Sequence, residues 1–397
     1  MNKNIERFIR YAKIDTQADE NSETTPSTAK QKNLSKLLVN ELKELGLSDA
    51  YMDEYGSVYA HLKDGEGDVI GLNAHVDTAL EVTDENVNPQ IINNWDGNDI
   101  KLNDTYTLSV KEFPHLKAHV GKDLVVTDGN TLLGADDKAG IAIIMGVLDY
   151  IKEHPEFKHH PLAIAFTVDE EIGRGPLHFS LEKMQADYAY TIDGGPINRI
   201  DAENFNAQQL KVQITGVAVH PGEGINTLIN ALQLQAEFIN ALPEKETPFY
   251  ADEGYWHLTS MNGTSEKVEF VAILRNFSRE KLEALDKRIY EIKDELLAKY
   301  PKAKIEVNIR EQYENMKAYV DKDPRPVKKA EQALRNLGIE PVFSRIKGGT
   351  DGATFSKMGL VTPNLGTGSG NHHGRFEYLV VQDLEKMIEV VLEIIKL

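Results

Sequence analysis

PLAIAFTVDEEIGRG, residues 161–175, joins two kinds of chemistry in one short stretch. Its first half is a near-continuous apolar run, the pattern of a strand buried on both faces of a largely parallel sheet. Its second half sets Asp169, Glu170 and Glu171 side by side where that run stops. DVIGLNA (68–74) is a second run of this kind, and YAYTID (188–193) a shorter strand. DDKAGIAIIMGVLDYIKEHP lies between the first two and reads as a long, mostly buried helix starting near Asp136. TPSTAKQKNLSKLLVNELKELG reads as a helix from about Ser27 to Leu45, with apolar residues at 34, 37, 38, 42 and 45 and Gly46 as its stop. The expected fold class is α/β, a mixed and largely parallel sheet flanked by helices.

Near residue 206 the pattern changes. QLKVQIT alternates, NTLINALQLQAEFINAL (226–242) is helical, and GYWHLTSM and KVEFVAIL read as strands. REKLEALDKRIYEIKDELLAKY follows as a helix with apolar positions at 282, 285, 289, 292 and 296, and KIEVNI alternates again. That order is βαββαβ, the ferredoxin-like unit. After about residue 316 the α/β style returns with VKKAEQALRNLG and the helical VVQDLEKMIEVVLEIIKL. The expected organisation is therefore a domain in two parts, 1–205 and 316–397, interrupted by a smaller one at 206–315.

The chain carries 44 Lys plus Arg against 63 Asp plus Glu, a formal charge of −19 that repels nucleic acid and anionic lipid. Its longest apolar stretch, Gly140 to Leu148, is about half of a membrane span, and MNKNIERFIRYAKI lacks the apolar core of a secretory signal. A cytoplasmic location is expected. The sequence contains no cysteine, which leaves His, Asp and Glu to hold any metal.

Five segments set such groups after buried strands, at a helix start or in a glycine-rich loop. In NAHVDTA an extended chain puts His75 and Asp77 on one face, where the carboxylate orients the imidazole of a metal ligand or merely pairs with it at the surface. Asp136 and Asp137 open a helix, and an ordinary N-cap is the plain alternative for one of them. Asp193 ends a strand before two glycines, and His372 and His373 sit in GSGNHHGRFE. Imidazoles and carboxylates without thiols are the ligand set of zinc or a similar divalent ion. The adjacent glutamates then acquire a reason, because neighbours on an extended chain point to opposite sides. One binds metal while the other faces the reacting water.

HVDT, TDGNTLLGADDKAG, FTVDEEIGRG, YTIDGG, VHPG and NHHGRFE together resemble the dinuclear zinc exopeptidases of the M20 type. NVNPQI (86–91), ENFNA (203–207) and KGGTDGA (347–353) narrow the resemblance to the tripeptide-aminopeptidase branch. It implies a catalytic domain with a lid domain inserted, and two zinc ions per chain. His75, Asp136 and Asp193 would bind one ion, and Asp136, Glu171 and His373 the other. Asp136 would be the bridge, followed by a peptide bond that is commonly cis. Hydroxide generated at the metals would attack the first peptide carbonyl of a small peptide, with Glu170 as general base. Asp77 would orient His75, His220 of VHPG would stabilise the oxyanion, and Arg275 would face the substrate's carboxylate end. The N-x-H-G spacing favours His373 as the ligand and leaves the role of His372 open. Asp169 has no metal role in this scheme and reads as a solvated or turn-stabilising carboxylate.

Where the family motif reads R-G-G-T-D-G, this sequence has Lys347, which keeps the charge but loses the planar fork. Arg345, two residues earlier, is the residue placed to compensate. Other dizinc hydrolases of the family (dipeptidases, carboxypeptidases, acylases) share the ligand set, and a non-catalytic binder of metal or peptide is the rival of a different class. Cobalt or manganese would serve the same ligands as zinc. An exposed edge of the smaller domain's sheet offers a pairing surface for a homodimer.

Overall fold

In the computed structural model, which describes residues 2–397, the apolar run becomes strand Leu162–Thr167, buried at every position. Side chains alternate across a strand, and here both faces are covered. Leu162, Ile164 and Phe166 enter the large helical core, while Ala163 and Ala165 meet Phe179, Met184 and Phe355 on the other side. Burying a side chain of the size of Ile or Phe contributes about 1.5–3 kcal/mol, so a one-residue slip of this strand would exchange its large residues with its alanines and is strongly resisted.

The chain divides into two compact units, Met1–Ala202 with Met316–Ser344 and Thr350–Leu397, and Glu203–Asn315 with Arg345–Gly349. In the larger unit, Leu162–Thr167 pairs in parallel with Ile70–His75, which pairs in parallel with Tyr188–Ile192, itself parallel to Asn364–Leu365. Antiparallel strands flank this centre: Val58–Leu62 beside Leu162–Thr167, and Arg199–Asn204 beside Asn364–Leu365. The full sheet has eight strands, Tyr51–Met52 and Val342–Ile346 forming its edges. It is the mixed, largely parallel sheet flanked by helices that the hydrophobic runs imply. A minor sheet of Gln90–Ile92, Leu124–Val126, Ser369–Gly370 and Tyr378–Val380, with a core around Trp95, Leu116 and Tyr378, comes from segments in which the sequence shows no strand period.

Helix Ala135–Glu153 packs on strands Ile70–His75 and Tyr188–Ile192. Gly140 makes this approach possible, because a Cβ there would lie 1.8 Å from the Ile192 carbonyl oxygen. The helix expected from Ser27 begins at Gln31, and Ser27 is instead hydrogen-bonded to the Asp169 carboxylate.

The smaller unit is βαββαβ, with strands Asn206–Thr215, Gly254–Gly263, Lys267–Asn276 and Lys304–Tyr313 and helices Ala231–Ala241 and Arg279–Lys299. Its sheet is antiparallel throughout, Lys267–Asn276 and Asn206–Thr215 at the centre, Gly254–Gly263 and Lys304–Tyr313 at the edges. Helix Arg279–Lys299 buries Leu282, Leu285, Ile289, Ile292 and Leu296, the stripe its period implies. The first helix starts at residue 231 rather than 226, since Ile229 pairs with Val217 and Asn230 caps the helix by accepting from the Leu232 N–H. The unit boundaries differ from 205/206 and 315/316 in two places. Glu203–Phe205 counts with the smaller unit, where the Phe205 ring packs at a tilt against Phe277, ring centroids 4.2 Å apart. Arg345–Gly349 also belongs there, with the Arg345 guanidinium 4.1 Å from the Phe277 ring and paired with Glu253. No helix among the described residues is long and apolar enough to cross a membrane.

Gly140→Ala is expected to destabilise the larger unit by about 1–3 kcal/mol, the usual range for overpacking, because the obstructing atom is backbone and cannot rotate away. Urea unfolding measures this; an unchanged midpoint would show that helix and strand can separate freely.

Candidate metal centre

Three parallel strands deliver side chains at their carboxyl ends, the place where open α/β sheets bind ligands. His75 ends Ile70–His75, Asp193 follows Tyr188–Ile192, and the turn Glu170–Ile172 follows Leu162–Thr167. Asp136 comes from the start of helix Ala135–Glu153, where it and Asp137 depart from helical geometry and their shared peptide bond is cis. His373 comes from the loop after Ser369–Gly370.

The five residues named as ligands by resemblance lie together. Asp136 Oδ1 is 3.0 Å from His75 Nε2, and Asp136 Oδ2 is 3.5 Å from His373 Nε2. Glu171 Oε2 is 3.0 Å from His373 Nε2, and Asp193 Oδ1 is 3.9 Å from His75 Nε2. The other Glu171 oxygen, Oε1, is buried with no hydrogen-bond partner among the described residues.

Electrostatics follow from this crowding. Burial and the Asp136 charge push the Glu171 carboxyl up to about 7, against the pull of His373. Burial, with the charge of Asp136, drives Asp193 well above the carboxylate range. Glu170 moves the same way through burial, with His75 opposing and Asp193, Asp351 and Glu171 adding their repulsion. Asp136 goes well below its ordinary value despite its burial, because His373 and His75 both donate to it. Those contacts, with Asp136 first and Glu171 second, raise His373 to about 12.

The loops bearing these groups are held by further carboxylates. Asp77 Oδ1 and Oδ2 accept the backbone N–H groups of Glu170 and Glu171, each at 3.1 Å. His75 Nδ1 lies 3.0 Å from the Asp77 carbonyl oxygen and 3.4 Å from its Oδ1. Glu377 accepts from the N–H groups of Leu133, Gly134 and Asp136 at 2.8, 2.8 and 2.9 Å. Asp137 accepts from the N–H groups of His75 and Gly140, so the N-cap alternative describes this member of the aspartate pair. Its carboxylate also lies with His75 and Asp193, ligand atoms within 4.8 Å of one another. Asp351 is buried and accepts from the Thr167 hydroxyl at 2.5 Å.

Glu377 and Asp351 have no expected role from the sequence, although they sit inside the motifs NHHGRFE and KGGTDGA. Asp169 corrects the sequence reading in part: the residue is fully buried rather than solvated, and stabilises its turn through Ser27 and Gln31. His372 Nε2 contacts Ser369 Oγ at 2.8 Å, and its ring passes where a Cβ on Gly194 would stand 3.0 Å away.

In the smaller unit His220 is exposed, its Nδ1 accepting from the Gly222 N–H at 3.2 Å. Arg275 is half-buried, donates to the carbonyls of Gln208 and Leu274, and lies over Tyr313. Lys347 pairs with Asp252, while Arg345 grips Glu253 with two hydrogen bonds of 2.8 and 2.5 Å.

The residues of the larger unit fit a pair of divalent cations. One carboxylate addresses two imidazoles, an oxygen of Glu171 is buried without a partner, and the accumulated negative charge is what a dication relieves. Such donors, close to strand ends, are the equipment of a metal-dependent hydrolase. Residues 126–397 match the sequence profile of peptidase family M20/M25/M40, and the chain belongs to that family. Within it the resemblance to peptidase T runs the full length: peptidase T of Geobacillus sp. (strain WCH70) is 46% identical over 403 residues, 100% of this chain and 98% of that protein. The solved aminopeptidase PepT of Bacillus cereus ATCC 10987 has a TM-score of 0.80 at 23% identity, covering 99% of this chain and 97% of that one. A solved dinuclear metal-binding peptidase of the M20 family from Bacillus subtilis gives 0.66 at 15%, over 99% and 96%. Both structures share the fold.

A cation entering this cluster competes with protons, since Glu171 holds its proton up to about pH 7 and His373 up to about pH 12. Metal affinity is therefore expected to rise with pH, more steeply below about 7 than above it. Calorimetry in buffers of different ionisation enthalpy should show proton release on zinc binding. Affinity that does not change with pH would mean that these groups do not hold the ion.

Proposed function

We propose that the chain is a metal-dependent aminopeptidase that releases the N-terminal residue of tripeptides. The observation that carries this reading is the Asp136 carboxylate, one oxygen toward His75 and the other toward His373. It supports a bridging role, with His75 and Asp193 completing one metal site and Glu171 and His373 the other. Zinc is the expected ion, and cobalt or manganese would suit the same donors. When bound, such a pair supplies a polarised carbonyl and a water acidified toward neutrality.

The rest is done by side chains. Glu170 takes a proton from the attacking water and returns it to the leaving amine nitrogen, the usual work of a positioned carboxylate. Asp77 fixes both the His75 ring and the turn that carries Glu170. The resemblance assigns His220 to the oxyanion and Arg275 and Lys347 to the carboxylate end of the peptide. A lysine there makes a single charged contact where arginine makes two parallel hydrogen bonds. That difference favours, as a second reading, a peptidase of this family with looser demands on its substrate's carboxyl end.

Glu170→Ala is expected to lower kcat about 10²–10⁴-fold, the range for a lost general base, while both metals remain bound. Loss of metal in that variant would make Glu170 structural. A free tripeptide, its C-terminal amide, the matching dipeptide and the N-acetylated tripeptide, incubated with zinc-loaded protein and analysed by mass, separate the two readings. Release of the first residue from the free tripeptide alone is the expected result, and equal release from the tripeptide amide would favour the second reading.

A further inference from the structure

Asp169, the first of the three adjacent acidic residues, is fully buried, and its carboxylate is taken up by Ser27 and Gln31 of the N-terminal segment. Its carboxylate accepts from the Ser27 N–H (2.9 Å to Oδ1, 2.7 Å to Oδ2), from the Ser27 hydroxyl at 2.5 Å and from Gln31 Nε2 at 2.6 Å. Its own N–H donates to Gln31 Oε1 at 3.2 Å. The Gln31 amide thus holds Asp169 at two points, one on the side chain and one on the backbone.

That grip acts on an unusual backbone. Asp169 has φ 59° and ψ 28°, a left-handed conformation that a non-glycine residue keeps only when its surroundings enforce it. The turn then closes on itself, Arg174 N–H donating to the Asp169 carbonyl at 2.9 Å. Arg174 also donates to the carbonyls of Ser22 and Glu20, a second tie to the same N-terminal segment. From the opposite direction Asp77 holds the N–H groups of Glu170 and Glu171. The backbone is thus held on both sides of Glu170, at Asp169 from the N-terminal segment and at its own N–H and that of Glu171 from Asp77.

We propose that Ser27, Gln31 and Asp169 form a positioning clamp through which the N-terminal segment aims Glu170 at the reacting water. The inference rests on the reading of Glu170 as general base. A displacement of about 1 Å in a catalytic group costs up to about a hundredfold in rate, so the clamp acts on kcat and leaves substrate binding alone.

The hydrogen-bond polarity of the clamp provides its test. In Asp169→Asn one acceptor oxygen becomes an NH2 group, so an amide turned to accept from Gln31 Nε2 opposes donor to donor at the Ser27 N–H, and one turned to accept from Ser27 opposes donor to donor at Gln31 Nε2. In Gln31→Glu two carboxylates face each other. The double variant Asp169→Asn/Gln31→Glu reverses donor and acceptor and restores a matched pair with the same net charge. Each single variant is expected to lose kcat about ten- to a hundredfold with KM and zinc content unchanged, and the double variant to recover most of it. Ser27→Ala, which removes one donor and no charge, is expected to lose kcat a few-fold and decides the matter if the charge variants do not fold.

Wild-type kcat in the single variants or in Ser27→Ala overturns the proposal. So does a folded, zinc-loaded double variant that stays as slow as the singles, and so does activity lost together with zinc, which would mean that the clamp serves Glu171. Absence of tripeptide cleavage by the wild-type protein would instead remove the underlying reading.

Discussion

Asp136 stands between two imidazoles in a pocket that also holds Glu170, Glu171 and Asp193, and the surrounding structure is arranged to keep these groups in place. Two like charges about 4 Å apart repel by roughly 4 kcal/mol at an effective dielectric constant of 20. Nothing in a carboxylate's own conformational preferences would hold several of them together. The frame does so from outside, through buried strands that end at the same level and loops whose backbone N–H groups are claimed by another set of acids. Glu377 fixes the approach to Asp136, Asp77 fixes the acidic turn, Asp137 joins the His75 backbone to its helix, and Asp169 reaches to Ser27.

Two rings of carboxylates therefore do different work with the same functional group. The inner ring is left short of protein donors, and Glu171 Oε1 shows this most plainly. The outer ring is engaged by peptide N–H groups, which fix the loops that carry the inner one. A net charge of −19 is distributed over the whole chain, yet part of it is concentrated in this double layer, where acidic residues serve as building material.

What was legible beforehand follows the range of the forces involved. Hydrophobic period is local, so the strand at 162–167, the stripe at 282–296 and the βαββαβ order could be read directly. The five clustered residues proposed as ligands were legible only as a pattern of residue types, and their pairing came from family resemblance. The minor sheet escaped because its strands are two or three residues long, too short to show a period. Asp169 was half misread for a similar reason: its partners Ser27 and Gln31 are more than 130 positions away, and no local signal distinguishes a clamped aspartate from a solvated one. The start of the helix at Gln31 follows from the same long-range bond, which holds Ser27 out of the helix that its sequence would have allowed.

The strand Asn364–Leu365 is only two residues long, yet it sits between Tyr188–Ile192 and Arg199–Asn204 in the eight-stranded sheet. Those two neighbours are made before the smaller unit's strands and helices, and the strand that joins them emerges after the whole of the smaller unit has been translated. The smaller unit's four strands and two helices lie within one continuous stretch, free to close as soon as it leaves the ribosome. The larger sheet has no such liberty. Until residue 365 appears, two strands of the nascent chain present unpaired edges, the feature that invites intermolecular pairing. The sheet is therefore closed by short strands translated after the smaller unit, and not by the long apolar strands from which the fold is first recognised.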